Sequence, residues 1–164
     1  FSTKHMMITT VKGRFTDVKG TIVTDERDPS KSSAEVTIGT ASLSTGTDAR
    51  DEHLRSADFF DVEKFPAITF RSKRIDGVSL APGAAFTVVG DLTVRDVTKE
   101  VTLDATFEGA GKDPWGNEKA SFSASTKIDR REFGLTWNAA LETGGVLVSN
   151  DIRISIEAQA VKSA

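Results

Sequence analysis

The chain has no cysteine and no tyrosine, and its 164 residues include only four prolines, two histidines, two tryptophans and two methionines. Without cysteine there is no disulfide, no thiolate nucleophile and no cysteine-ligated metal, while the redox character of the compartment stays open. His5 and His53 lie 48 positions apart and begin no ligand-spaced motif such as His-x-x-x-His, so no metal centre is expected. Long hydrophobic runs are missing too, and nothing approaches the ~20 apolar residues that a membrane-crossing helix needs. No leader peptide is visible. Phe1 reads as the middle of a strand, and the first strand is expected to be short on its N-terminal side.

An excess of either charge is likewise lacking. Lysine and arginine number 21 against 24 acids, a net charge of -3 with no basic run, which is not the electrostatic footprint of a nucleic-acid binder. Trp115 and Trp137 do not sit among the interleaved basic and aromatic residues that stack bases. Neither a Gly-x-Ser-x-Gly elbow nor a Gly-x-x-x-x-Gly-Lys-[Ser/Thr] loop occurs. "LETGG", residues 141 to 145, follows no βα unit, so Gly144 and Gly145 read as a tight turn rather than a nucleotide loop. No catalytic residue, metal or cofactor is assigned on these grounds.

What the sequence does have is alternation. In "NDIRISIEAQAV" Ile152, Ile154, Ile156, Ala158 and Ala160 share one face and Arg153, Ser155, Glu157 and Gln159 the other, the period of a half-buried strand. "AFTVVGDLTV" groups Phe86, Val88, Leu92 and Val94; "KEVTLDATF" groups Val101, Leu103, Ala105 and Phe107; "KASFSASTKI" groups Ala120, Phe122, Ala124, Thr126 and Ile128. Further strands are expected over 14–24, 32–40 and 67–76, with Phe1 to Lys4 the remnant of the first. About eight strands joined by turns such as Asp28-Pro29-Ser30 and Ala81-Pro82-Gly83 predict an all-β antiparallel barrel or sandwich forming a single domain over 1–164. One short helix is expected in a connecting loop, capped by Asp48, with Asp51 three residues on and Leu54 and Ala57 sharing a face. Pro66 ends helical geometry at Phe65 and starts the next strand at Ala67.

An eight-stranded barrel encloses either a plug of side chains or one small ligand. The inward positions mix small residues (Ala34, Gly90, Ala105, Ala120, Ala124) with moderate aliphatics. The bulk is concentrated in the connections: Met6, Met7 and Ile8; Phe59, Phe60 and Phe65; Phe133, Leu135, Trp137 and Leu141. Such residues serve equally as an apolar collar around a cavity or as core plugging the barrel ends, and the pattern leaves both readings open. In "DARDEHLR" Arg50 and Arg55 suit an anion through bidentate contacts, against the plainer reading of a solvated helix face. His5 is a candidate contact for a polar head group at the mouth.

The blocks "FSTKHMM" at the start, "GRFTDVKG" at 13–20, "RDEHLRSADFFDVEKFPAITF" at 50–70, "GDLTVRDVTKEVTL" at 90–103 and "REFGLTWNAALETGGVLVSNDIRI" at 131–154 closely resemble the YceI-like family, from Phe1 to about Val161. The resemblance implies a lipocalin-like antiparallel β-barrel whose apolar tunnel holds a long polyisoprenoid, a prenyl quinone or prenyl phosphate, in a carrier or storage protein rather than an enzyme. It also implies a homodimer, and members are periplasmic, secreted or cytoplasmic. Family members begin with a short segment containing a tryptophan and a His-Ser pair, which is not present before Phe1 here. On this reading Phe15, Ile38, Leu54, Phe59, Phe60, Phe65, Phe70, Phe86, Leu92, Phe133, Leu135 and Trp137 are the tunnel-wall candidates, and His5, Arg50 and Arg55 the head-group candidates. Transient membrane contact is compatible with such a role. Two alternatives from other classes are an enzyme acting on an isoprenoid or fatty substrate, with His5 or His53 as acid or base, and a filled-barrel interaction module.

Overall fold

The computed structural model describes residues 1–79 and 81–163. Eleven strands and one helix follow in chain order: β1 (Ser2–His5), β2 (Thr9–Lys12), β3 (Arg14–Phe15), β4 (Val18–Val23), β5 (Ser33–Gly39), β6 (Leu43–Ser44), α1 (Asp48–Arg55), β7 (Ala67–Asp76), β8 (Ala84–Val94), β9 (Val97–Lys112), β10 (Glu118–Asp129) and β11 (Asp151–Val161). Nine of the strands form one antiparallel sheet in the order β2-β1-β11-β10-β9-β8-β7-β5-β4, and β3 pairs separately with β6. The sheet is curled but its ladder does not close, since β2 and β4 are its two edges. The expected all-β antiparallel, lipocalin-like architecture with one short helix is therefore present as a curled half-barrel, built from nine strands in the main sheet where eight were expected.

Alternation and register together put the apolar residues on one face. Phe70 pairs with Leu92, Ile75 with Val88 and Val88 with Leu103. Further along, Phe86, Ala105, Ala124 and Ile156 form one row across four strands, and Phe107, Phe122 and Ala158 the next. Two bulges keep this face in phase over long strands, one between Ser72 and Arg74, the other opposite Ser121 and Phe122. At the first, Lys73 is the extra residue, so that Ile75 returns to the apolar side.

Two local expectations need correction. The strand expected over 14–24 is broken at Thr16 and Asp17, whose amides donate to Ser42 Oγ at 3.1 and 3.0 Å instead of joining a ladder, and β3 and β4 result. The helix begins at Asp48 with Thr47 as its cap residue, while Ser56 caps its end and leaves Ala57 outside. Asp51 does not cap the helix; its carboxylate accepts from Thr45 N at 2.8 Å and Thr45 Oγ1 at 2.6 Å.

Candidate functional site

The apolar face carries two packed clusters. In the first, Phe59, Ile68, Leu92, Val94, Phe133 and Leu135 are buried, with Phe15, Ile38, Leu54, Phe60, Phe70 and Trp137 against them. In the second, Ile75, Val88, Leu103 and Ala105 are buried, with Phe70, Phe86 and Ala124 alongside. Phe70 and Val101 belong to the surroundings of both, so the two form one apolar lane. Gly90 permits the junction: a Cβ there would stand 2.5 Å from Phe70 Cζ and 2.5 Å from the Arg71 carbonyl oxygen.

The lane ends differently on its two sides. The first cluster is closed over by the collar of α1, the loop after it and the segment following β10. Beyond the second cluster an open cleft of about 800 Å³ is lined by Phe86, Ala105, Ala124 and Ile156 together with Thr87, Asp104, Ser125 and Glu157. Ile156 belongs to the apolar row yet is exposed, which marks the lane as unfilled there.

Polar bonds hold the collar in place. Arg55 donates from Nε to Ala41 O at 3.1 Å and from Nη2 to Leu43 O at 2.7 Å, tying α1 to β6. Arg50 donates from Nε to Thr45 Oγ1 at 2.7 Å and from Nη2 to Thr45 O at 2.9 Å. The hydrogen bond from the Thr45 hydroxyl, above all, holds the buried Asp51 carboxyl below its ordinary pKa of 3.8, with Arg55 and Arg50 adding to the effect. His53 Nε2 stands 2.8 Å from Asp58 Oδ2, and its ring meets Phe59 and Trp137 edge-on at centroid distances of 5.1 and 4.5 Å.

Arg130 was not legible as a site residue. It is buried in the short 3-10 turn after β10, and it donates from Nε to Ser149 O, from Nη1 to Leu135 O and Trp137 O, and from Nη2 to Val148 O, at 2.7–3.3 Å. One guanidinium thus fixes both ends of the loop that carries Leu135 and Trp137. Burial lowers its pKa, and its ligands are carbonyls rather than a carboxylate.

Of the twelve apolar residues singled out in the sequence, eleven lie in or against the two clusters. Phe65 does not. Its ring lies under Lys64 Nζ at 5.3 Å and the Arg95 guanidinium at 5.4 Å, while its carbonyl accepts from Thr40 Oγ1 at 2.8 Å. The three head-group candidates are not brought together: His5 ends β1 and bridges Val148, whereas Arg50 and Arg55 stand on α1 with their guanidinium planes bound to β6 and the loop before the helix. Among the described residues no group of three or more His, Asp and Glu is arranged to hold a metal, and no helix is long and apolar enough to cross a membrane.

The family profile described as YceI-like domain matches residues 1–160. The chain belongs to the YceI-like family. A UPF0312 protein of Serratia proteamaculans is 39% identical over 163 residues, covering 99% of this chain and 80% of that protein. The crystal structure of the Campylobacter jejuni YCEI protein superposes with a TM-score of 0.82 at 33% identity, covering 100% of this chain and 92% of that one. A domain from Saccharophagus degradans described as polyisoprenoid binding, and implicated in plant cell wall breakdown, shares the fold at a TM-score of 0.70 and 15% identity, covering 96% of this chain and 89% of that one. The YceI-like fold is thus a lipocalin-like curled sheet here.

Proposed function

We propose that this YceI-like protein binds a long-chain polyisoprenoid, of the prenyl quinone or prenyl phosphate type, non-covalently along the apolar lane, as a carrier or store rather than as an enzyme. The observation that carries the reading is the lane itself, which runs from a closed aromatic cluster to an open cleft where the apolar face is lined by Ala105 and Ala124 and ends on an exposed Ile156. The description of the Saccharophagus domain as polyisoprenoid binding supports the ligand class. A methyl-branched chain suits a wall that mixes phenylalanines with alanines, as in the rows Phe86-Ala105-Ala124 and Phe107-Phe122-Ala158. Burial contributes roughly 25 cal/mol per Å² of apolar area, so several isoprene units bind tightly without a hydrogen bond.

His53 has a structural role in this account, because its partners are a carboxylate and two aromatic rings that link α1 to the segment after β10. The gate for exchange is the connection over residues 44–66, which overlies the first cluster and is held by the polar bonds of Arg50, Arg55 and Asp51.

Trp137 reports on the lane. In a Trp115→Phe variant it is the sole indole, and titration with a prenyl quinone should quench its fluorescence saturably at one ligand per chain. Unchanged fluorescence, with no quinone co-eluting on gel filtration, would sink the reading.

A further inference from the structure

The hairpin of β1 and β2 ends in three consecutive large apolar residues that face water: Met6 is 47% exposed, Met7 58% and Ile8 77%. Both methionines hold positive φ, 53° and 66°, in the left-handed region that glycine or asparagine normally takes in such a turn. The molecule therefore accepts backbone strain and apolar exposure at one spot, a combination that marks functional surfaces. The hairpin itself carries two cations and no acid: Lys4 lies next to the tip and Lys12 stands at the base opposite Ser2, with Asp151 of β11 beside Thr3. Residues 134–150, which back the tip, contribute one acid, Glu142.

The tip is anchored to the collar. Met6 N donates to Leu147 O at 2.8 Å, Ser149 N donates to Lys4 O at 3.0 Å, and His5 bridges Val148. Val148 and Ser149 offer their carbonyls to Arg130, which also holds Leu135 and Trp137. Strand directions put the tip at the end of the sheet where the first cluster and β10's last residues lie. Trp115, exposed at 83%, crowns the β9–β10 hairpin at the opposite end, where Lys112 and Lys119 are offset by Asp113 and Glu118.

We infer that the Met6-Met7-Ile8 tip is a membrane-docking element that inserts its apolar side chains into the interface of an anionic bilayer, with Lys4 and Lys12 meeting lipid phosphates. Apolar wedging and basic attraction are together what holds a protein on such a surface without a spanning segment. The inference deepens the proposed lipid-carrier reading by naming the surface that meets the membrane, the hairpin tip at the end of the sheet away from the β9–β10 turn.

The test is co-sedimentation of the purified full chain with phosphatidylglycerol/phosphatidylcholine vesicles and with phosphatidylcholine vesicles. It reads protein position and not cargo, so it is separable from the lipid-extraction and quenching experiments. Partitioning onto the anionic vesicles is expected to exceed that onto the zwitterionic ones by on the order of tenfold. Met7→Ser with Ile8→Ser should reduce it by roughly tenfold. Lys4→Gln with Lys12→Gln should abolish the preference for anionic lipid. These positions are exposed, so folding is retained, with circular dichroism as the check. Equal binding to both vesicles, or no binding to either, overturns the inference. So does vesicle binding unaffected by the apolar pair, or a tip that instead governs association between copies by light scattering.

Discussion

Arg130 donates to the carbonyl of Trp137 at 2.9 Å, so a buried cation rather than packing alone sets where the indole sits over the apolar lane. The same nitrogen holds Leu135 O at 2.7 Å. Replacing Arg130 with methionine keeps volume but leaves four carbonyls without this donor, at a cost of about 3–5 kcal/mol in unfolding free energy. Arg130→Lys should fail nearly as badly, because one ammonium cannot span carbonyls that a planar fork reaches on several sides. Denaturant midpoints measure both; a lysine variant of native stability would contradict the network's role.

Gly90→Ala tests the junction of the two clusters. The new methyl would meet Phe70 Cζ and the Arg71 carbonyl oxygen, each at 2.5 Å, and a carbonyl oxygen in a ladder has little room to withdraw. Destabilisation of about 2 kcal/mol is expected. Adding Phe70→Leu should recover part of it, whereas an unaffected single variant would show that the lane is looser than the geometry implies.

Acid should loosen the collar before the sheet. The Asp51 carboxyl has a lowered pKa in the folded protein, caused first by the Thr45 hydroxyl, so its stabilising effect is fully present above the ordinary value of 3.8 and fades as pH falls through the lowered one. Asp51→Asn removes the titration, and the fall in stability below about pH 4 should become shallower. Thermal unfolding at a series of pH values checks it; parallel curves for the two proteins would exclude Asp51 as a source of the acid sensitivity.

Phe60 connects the collar to the β3–β6 pair, its ring meeting Phe15 edge-on at 5.6 Å. Because it is only half buried, Phe60→Asp should leave the half-barrel folded by circular dichroism while lowering ligand affinity at least tenfold. Retention of lipid by this variant would move the gate away from residues 44–66.

Much of this organisation is readable along the chain, and the exceptions have a common cause. The strand over 67–76 is bounded by Pro66 and by alternation, both local, and it forms with those limits. The phenylalanines beside the helix gather where their spacing sets them at the end of the sheet. Whether the sheet closes depends on which edge finds a partner, and no residue in Val18–Val23 encodes that its outer side stays free. The break at Thr16 and Asp17 comes from Ser42, some 26 positions away, and β3 and β4 could not be separated without it. Phe65 reads like its neighbours but is drawn under Arg95, which lies in the turn between β8 and β9. Arg130 reads as one charge in "IDRREF", yet its burial is created by carbonyls from residues 135–149 that only the folded loop assembles.

The most direct measurement is mass spectrometry of an organic-solvent extract from protein purified without detergent. The account predicts a prenyl species in stoichiometric amount, diminished in Phe60→Asp protein prepared in parallel. An extract empty of isoprenoid, from protein whose fold is intact, would contradict it and leave the aromatic cluster as ordinary core.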